Sequence, residues 1–223
     1  HFAIDREIQV IPNFVEHSNY CIEPKESDLK RKKDIAPNGE FIISHISNFR
    51  KVKRLQDVVS VFALIRKKVA AKLILAGDGP ERFAAEQQCK ELGICADVEF
   101  VGNVQSGDEI LCISDLFLLP SETESFGLAA LEALASGVPV ISSNSGGLPE
   151  VNEHGVSGFL SKVGDVEDMA KNALSILSSP ETLEKFSHQA YEQSKKFTLE
   201  AILPQYEALY EKVLKKKREN LPV

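Results

Sequence analysis

Short apolar runs alternate with segments of helical length from residue 41 to residue 143, and this alternation limits the possible folds more than any other feature. The runs are rich in Val, Ile, Leu and Phe, which is typical of strands buried on both faces. Parallel strands need long crossover connections, and such crossovers are right-handed. The spacing therefore predicts an α/β fold with a doubly wound, Rossmann-like parallel sheet. The predicted strand and helix pairs are Phe41–Ile46 with Arg54–Val69, Lys72–Ala76 with Pro80–Leu92, Val98–Val101 with Ser106–Ile113, Leu116–Leu119 with Phe126–Ala135, and Val138–Ser142 with a glycine-rich turn.

The segments outside this region follow other patterns. Ile8–Ile11 resembles a strand, and the charged segment that continues through Lys33 favours a loop or an irregular helix. After Phe159 and Leu160 the pattern is helical only, with Asp165 placed as an N-cap. The extra carboxyl-terminal helices are predicted at Asp165–Leu177, Pro180–Phe197 and Leu199–Lys216. We therefore divide the chain into a domain of residues 1–198 and a carboxyl-terminal helix within residues 199–223.

Charge and cysteine usage exclude several classes of function. The formal net charge of −7 argues against nucleic-acid binding, which needs a basic face. No apolar run approaches the roughly 18 residues that span a bilayer, so stable membrane insertion is not expected. The four cysteines form no CxxC pair and have no His at ligand spacing, which predicts reduced thiols, no metal site and a cytoplasmic protein. The first residue is His1 and the only methionine is Met169, which predicts that the chain is part of a longer protein.

Two loops that follow predicted strands have sequence features typical of phosphate-binding loops. The loop at residues 47–54 holds four basic residues and no acid, beside a helix start, as an oligophosphate site requires. A solvated basic turn is the alternative. The second loop, Gly77-Asp78-Gly79-Pro80, is half of a dinucleotide fingerprint, with Arg82 in place of the third glycine. Because Glu99 lies about where a ribose-binding acid belongs, a nicotinamide site stays open on this motif alone.

Two acids flank the start of the fourth predicted helix. Glu132 is the only charge between Leu128 and Ala135, so it is expected in a buried helix. Glu124 precedes the same helix, where backbone N–H groups have no intrahelical partner and form an anion site. A sugar diol could satisfy Glu132; the alternative is a cap at Glu124 and a core ion pair at Glu132. The later loop at residues 143–150 indicates either a close approach of the backbone to a ligand or a tight turn.

These residues resemble a known family. Pro-Ser-x-x-Glu-Ser-Phe-Gly-Leu-x-x-Leu-Glu-Ala at residues 120–133 is similar to the signature of retaining glycosyltransferases of family 4, which have the two-domain GT-B fold. The resemblance covers nearly the whole chain and implies the carboxyl-terminal, donor-binding half of such an enzyme. It also argues against the nicotinamide site. The supporting motifs are Ile11-Pro12-Asn13, Gly77-Asp78-Gly79-Pro80, Val101-Gly102-Asn103-Val104 and Gly146-Gly147-Leu148-Pro149-Glu150.

The resemblance also implies roles for individual residues. Lys53 and Glu124 would be catalytic, with Lys53 on the diphosphate and Glu124 near the transferred sugar. Glu132 would hold the ribose hydroxyls. Asn48 stands where the family usually has arginine, and Arg50 would supply the missing charge. No metal or other cofactor is implied. The predicted nucleotide-sugar-binding residues are Asn48, Arg50, Asn103, Val104, Ser125, Phe126, Gly127, Leu128 and Glu132.

The substrates follow from a finer resemblance. The loop at residues 47–54, together with Ile11–Val15, is similar to the branch that transfers N-acetylglucosamine from UDP to L-malate in bacillithiol biosynthesis. The expected partners are a UDP-sugar donor and a small-molecule acceptor bound mainly by an absent amino-terminal domain. The helix in residues 199–223 would cross back to that domain. We therefore expect these 223 residues alone to bind UDP weakly and to transfer no sugar.

Other functions stay open on the sequence. One is a transferase of the same family with a different donor or acceptor, acting in polysaccharide or lipid glycosylation. Another is a nucleotide-sugar-binding module without catalysis. Self-association into a homo-oligomer is also left open.

Overall fold

The computed structural model describes residues 9–20 and 24–219, with side chains to residue 215. The strands are β1 (Phe41–Ile46), β2 (Ala71–Ala76), β3 (Val98–Gly102), β4 (Leu116–Leu119), β5 (Val140–Ser143) and β6 (Gly158–Ser161). The helices are α1 (Glu26–Ile35), α2 (Leu55–Arg66), α3 (Arg82–Glu91), α4 (Asp108–Leu111), α5 (Leu128–Ala135), α6 (Leu148–Val151), α7 (Val166–Ile176), α8 (Pro180–Ser194) and α9 (Leu199–Glu219). Short 3-10 turns lie at His17–Asn19, Lys51–Lys53, Cys95–Asp97 and Lys195–Phe197.

The predicted doubly wound parallel sheet is confirmed. All five strands predicted between residues 41 and 143 are present, and β1 and β4 begin and end at the predicted residues. The pattern did not predict β6, because only two of its four residues are apolar. The strand predicted at Ile8–Ile11 is wrong for residues 9–11, which form no strand and leave Val10 exposed to solvent; Ile8 lies outside the described residues. The charged segment before β1 contains the regular helix α1, whose first turn is capped where the Asp28 carboxylate accepts from Lys25 N–H at 2.9 Å.

The strand order is β3-β2-β1-β4-β5-β6, so the order reverses between β1 and β4. Ile43 of β1 lies beside Leu73 on one side and Leu116 on the other. In open α/β sheets the crevice for a ligand opens at the carboxyl ends of the strands where the order reverses. The loops at residues 47–54 and 120–127 both leave the sheet at this point.

Helices cover both faces of the sheet, and their burial explains their sequences. One face packs against α2, α3 and α7, and the other against α5, α6 and α8. In α5, every residue from Ala133 to Ala135 is fully buried, as are Ala130 and Leu131. The prediction that this apolar helix lies in the interior is therefore confirmed.

Glycine allows two loops to pack backbone against backbone beside the crevice. A Cβ on Gly77 would lie 1.8 Å from Ser47 O, and one on Gly79 would lie 2.6 Å from Phe49 O. The Phe49 ring is fully buried between these segments. Gly77 and Gly79 therefore allow the close backbone packing that keeps the basic loop at residues 47–54 in place.

The prediction of reduced thiols is wrong for Cys112. Cys89 and Cys95 are free thiols, but Cys112 is disulfide-bonded. Cys21 lies outside the described residues. Spacing along the chain does not show which distant thiols meet in space, so the disulfide could not be predicted from the sequence alone.

Over the described ranges, no helix combines the length and apolar character needed to cross a membrane.

Candidate active site at the crevice between β1 and β4

Lys53 and Glu124 meet across the crevice. Lys53 ends the 3-10 turn after β1, and its Nζ lies 2.6 Å from Glu124 Oε1. The Ser121 hydroxyl donates to the same oxygen at 2.8 Å. Both charged side chains are largely buried, with 20% of Lys53 and 12% of Glu124 exposed. The structure thus brings together the two residues that the family resemblance assigns to catalysis.

The backbone around Glu124 is fixed from two sides. Glu122 N–H donates to Val52 O at 2.8 Å, which ties the loop after β4 to the loop after β1. Gly147 N–H donates to Glu124 O at 2.9 Å, and a Cβ on Gly146 would lie 1.9 Å from that same oxygen. The glycine pair thus packs closely against the backbone of Glu124, and its approach to a ligand stays a prediction.

The start of α5 presents unpaired donors. Gly127 caps the helix with a φ of 98°, a left-handed conformation that suits glycine. Within the described residues, the backbone N–H groups from Ser125 to Leu128 donate to no protein acceptor. Ser125 and Leu128 are exposed, whereas Phe126 and Gly127 are buried. Free N–H groups at a helix start suit an anion.

Glu132 lies further along α5 in a different environment. Its carboxylate is half-buried and accepts a hydrogen bond from the phenol of Tyr20. Burial raises the pKa of Glu132 despite that bond. Burial, followed by the charge of Glu132, raises the pKa of Tyr20 to about 12. The alternative of a core ion pair is not found, since no Lys, Arg or His of the described ranges pairs with Glu132.

The basic loop exposes its predicted phosphate ligands. Asn48 and Arg50 are exposed, and within the described part of the chain neither side chain has a partner. Phe49 between them anchors the loop, since its N–H donates to Asp78 O at 2.9 Å and its O accepts from Glu81 N–H at 3.0 Å. Both side chains are therefore available to a ligand on a loop whose backbone is held.

His45 supports this loop from beneath and was missed by the sequence analysis. It is fully buried, with Nδ1 at 2.8 Å from Leu118 O and Nε2 at 2.7 Å from Ser47 Oγ. A carbonyl can only accept, so Nδ1 carries the proton and the Ser47 hydroxyl donates to Nε2. Burial lowers the pKa of His45 to about 4, so the ring is neutral at pH 7. An apolar strand pattern hides such a residue, because one polar position in β1 does not break it.

The family resemblance implies that two residues after β3 contact the nucleotide base, and one of the two lines a cavity. Asn103 and Val104 are exposed after β3. Val104 lines a cavity of about 680 Å³ together with Tyr20, and the remaining lining residues are Asn19, Gln105, Ser106, Asp108 and Glu109. Tyr20 thus contacts Glu132 and also borders the space next to Val104. The sequence around Tyr20 has no periodic pattern, so the sequence did not identify Tyr20 as a site residue.

Within the described ranges, no three His, Cys, Asp or Glu side chains gather as metal ligands would.

Comparison with known proteins defines the class. Solved structures that share this fold include GT-B glycosyltransferases. Residues 26–193 match the family described as glycosyl transferases group 1, and the chain belongs to this family. The family resemblance given by the motifs is thereby confirmed.

Individual relatives narrow the comparison. The chain is 44% identical over 212 residues to N-acetyl-alpha-D-glucosaminyl L-malate synthase of Bacillus anthracis, covering 95% of this chain and 55% of that protein. It is 35% identical over 160 residues to 2-deoxystreptamine N-acetyl-D-glucosaminyltransferase of Niallia circulans, covering 68% and 41%. A crystal structure of Anabaena HepE in complex with UDP and glucose superposes with a TM-score of 0.82 at 24% identity, covering 91% of this chain and 56% of that one. The chain therefore spans about half the length of the relatives it matches.

Proposed function

We propose that the chain binds the donor of a retaining glycosyltransferase that moves N-acetylglucosamine from UDP-N-acetylglucosamine to L-malate. The observation that carries the proposal is the contact of Lys53 with Glu124 across the crevice, beside the free N–H groups at the start of α5. Both named relatives transfer or incorporate an N-acetylglucosaminyl group according to their names. The choice of L-malate as acceptor is supported by the 44% identity to the first of them.

The charges suit a leaving diphosphate. An ammonium group has three donors, and Lys53 uses one on Glu124, so two remain for phosphate oxygens. As the bond to the anomeric carbon breaks, UDP leaves with the bonding electron pair. The malate hydroxyl oxygen bonds to that carbon, and its proton passes to a diphosphate oxygen of the departing UDP. Lys53, Arg50 and the amides from Ser125 to Leu128 would stabilise the charge that grows on the diphosphate. In this proposal these groups take the place of a metal ion.

The two acids have separate tasks in this proposal. Glu124 is fixed next to the diphosphate lysine and would contact the sugar. Glu132 is half-buried without a cation, so it retains acceptor capacity for the two ribose hydroxyls. Asn103 and Val104 would contact the base through their backbone. Asn48 would add a neutral contact where Arg50 supplies charge.

Titration of the chain with nucleotides tests the proposal. The ligands are UDP, UDP-N-acetylglucosamine, UDP-glucose and ADP-glucose, and the proteins are the wild type, Lys53→Ala and Glu132→Ala. We expect UDP-N-acetylglucosamine to bind best, and Glu132→Ala to lose about 1–3 kcal/mol of binding free energy through the ribose. Circular dichroism checks that each variant keeps its fold.

The outcomes separate the parts of the proposal. Full affinity in a folded Glu132→Ala variant would contradict the ribose assignment. Stronger binding of UDP-glucose would indicate a family member with another donor. Absence of any nucleotide binding at millimolar concentration would overturn donor binding by this chain. Transfer of N-acetylglucosamine to malate by these 223 residues alone would contradict our expectation that the chain binds the donor without turning it over.

A further inference from the structure

Tyr20 occupies a position between two parts of the proposed nucleoside site. It follows the 3-10 turn His17–Asn19 and packs its ring against the apolar cluster that contains α5. Its phenol donates to the Glu132 carboxylate, and its ring borders the cavity of about 680 Å³ that Val104 also lines. One side chain therefore contacts the proposed ribose acceptor and the space proposed for the base.

The contact with Tyr20 is what holds the Glu132 carboxylate. Within the described residues, the phenol is the side-chain partner of Glu132, and no cation competes for it. A carboxylate offers about four acceptor positions, so one bond to Tyr20 leaves the others for a ligand. A glutamate side chain without a partner has free rotamers, and fixing them on binding costs conformational entropy. Tyr20 supplies that order before the ligand arrives.

Building on the proposed function, we infer that Tyr20 is a positioning residue for the nucleoside. Its hydroxyl fixes the Glu132 carboxylate in the orientation that accepts the ribose diol, and its ring forms a wall of the base cavity. The chain then selects ribonucleotides over 2′-deoxyribonucleotides through Tyr20 as well as through Glu132. The ring and the hydroxyl act on different parts of the ligand, so they can be separated by substitution.

Calorimetric titration with UDP and 2′-deoxy-UDP tests this role. The proteins are the wild type, Tyr20→Phe, Glu132→Gln and the matched control Tyr210→Phe, whose ring is 63% exposed on α9. We expect the wild type and Tyr210→Phe to prefer UDP by about tenfold or more. We expect Tyr20→Phe to reduce that preference to about threefold or less while its affinity for 2′-deoxy-UDP changes by less than about twofold.

The ratio of the two affinities distinguishes positioning from a structural effect. A general loss of local structure would weaken both ligands equally and keep the ratio, and that result would overturn the inference. An unchanged ratio with unchanged affinities would overturn it as well. If Glu132→Gln loses the preference for ribose and Tyr20→Phe keeps it, this inference fails while the proposed function stands. If the wild type binds neither nucleotide, both fail.

Discussion

The loop before α5 and the middle of α5 each hold a carboxylate, and the two are stabilised in opposite ways. Glu124 in the loop is paired with Lys53, accepts from Ser121 and has its backbone held by Gly147. Glu132 in the helix is half-buried with a neutral phenol as its partner, and burial raises its pKa. The first charge is compensated in the free protein, whereas the second keeps unused acceptor capacity.

This difference matches what each region is proposed to bind. A diphosphate brings negative charge, so a carboxylate beside it must already be neutralised by a cation to avoid repulsion. A ribose brings neutral hydroxyl donors, so an uncompensated carboxylate is the better acceptor there. Burial of Glu132 costs stability, and the ligand recovers part of that cost on binding. The predictions that follow disturb one region at a time.

The largest effect is expected where the Glu124 backbone is held. In Gly146→Ala the new Cβ would lie 1.9 Å from Glu124 O at a φ of 58°, so the loop must move. We expect a loss of about 3–4 kcal/mol in the free energy of unfolding, from overpacking and left-handed strain together. Gly155→Ala is the control, since it has a φ of 77° but nothing within 4 Å, and should lose only about 1 kcal/mol. Urea denaturation measures both, and equal losses would show that the close approach is unimportant.

Removing the positive charge of Lys53 should weaken UDP binding, and this is the second largest effect expected. Lys53→Ala deletes two potential donors to the diphosphate and leaves Glu124 charged beside it. We expect UDP affinity to fall about 100-fold by calorimetry. Lys51→Ala removes an exposed lysine from the same turn and should change the affinity by less than about threefold. Similar losses in the two variants would mean that only the overall charge of the loop matters.

His45, which is buried beneath the basic loop, should make the stability of the protein depend on pH. The unfolded His45 titrates near 6.5, whereas burial lowers its folded pKa to about 4. The folded state therefore binds fewer protons, so its stability is full above pH 6.5 and declines as the pH falls toward 4. The contribution is on the order of 3 kcal/mol. Chemical denaturation at several pH values should show a smaller decline in His45→Gln than in the wild type. Parallel curves would contradict a neutral, buried imidazole.

The smallest effect concerns the titration of Glu132 itself. Because burial raises its pKa, the carboxylate gains a proton at a higher pH than an exposed glutamate and then accepts fewer bonds from ribose. Uridine serves as the ligand because it carries no phosphate that titrates in this range. We expect uridine affinity in the wild type to fall as the pH is lowered from 7 to 5, because the protonated fraction of Glu132 grows. The affinity of Glu132→Gln should stay flat, and a decline of equal size there would assign the titration to another group.

The sequence predicted the parts of the molecule that depend on periodic apolar patterns. β1 and β4 were placed to the residue because each is a short run bounded by polar turns. Their loops flank the crevice, so the nearness of Lys53 and Glu124 follows from positions at two strand ends. The strand order itself was not predictable residue by residue, since it depends on pairing between distant segments.

The parts that were missed depend on contacts without a pattern. Tyr20 lies in an aperiodic segment and reaches Glu132 only through the tertiary fold. His45 looks like one polar interruption in a strand, although its two ring nitrogens hold Leu118 and Ser47. The bonded state of Cys112 likewise follows from proximity in space. The pairing of Glu124 with Lys53 was expected as a shared site rather than as an ion pair in the free protein.

Arg54 has a conformation that would suit glycine better. Among the described residues it is the non-glycine residue with positive φ, at 52°, and that geometry costs about 1 kcal/mol. Its side chain bonds to Asp57 at 2.6 Å and lies 3.1 Å from where a Cβ of Gly164 would be. Glycine at position 54 would relieve the backbone strain and lose the side-chain contact between the loops at residues 47–54 and 162–165. Arginine at this position therefore tethers the two loops at the cost of a strained turn.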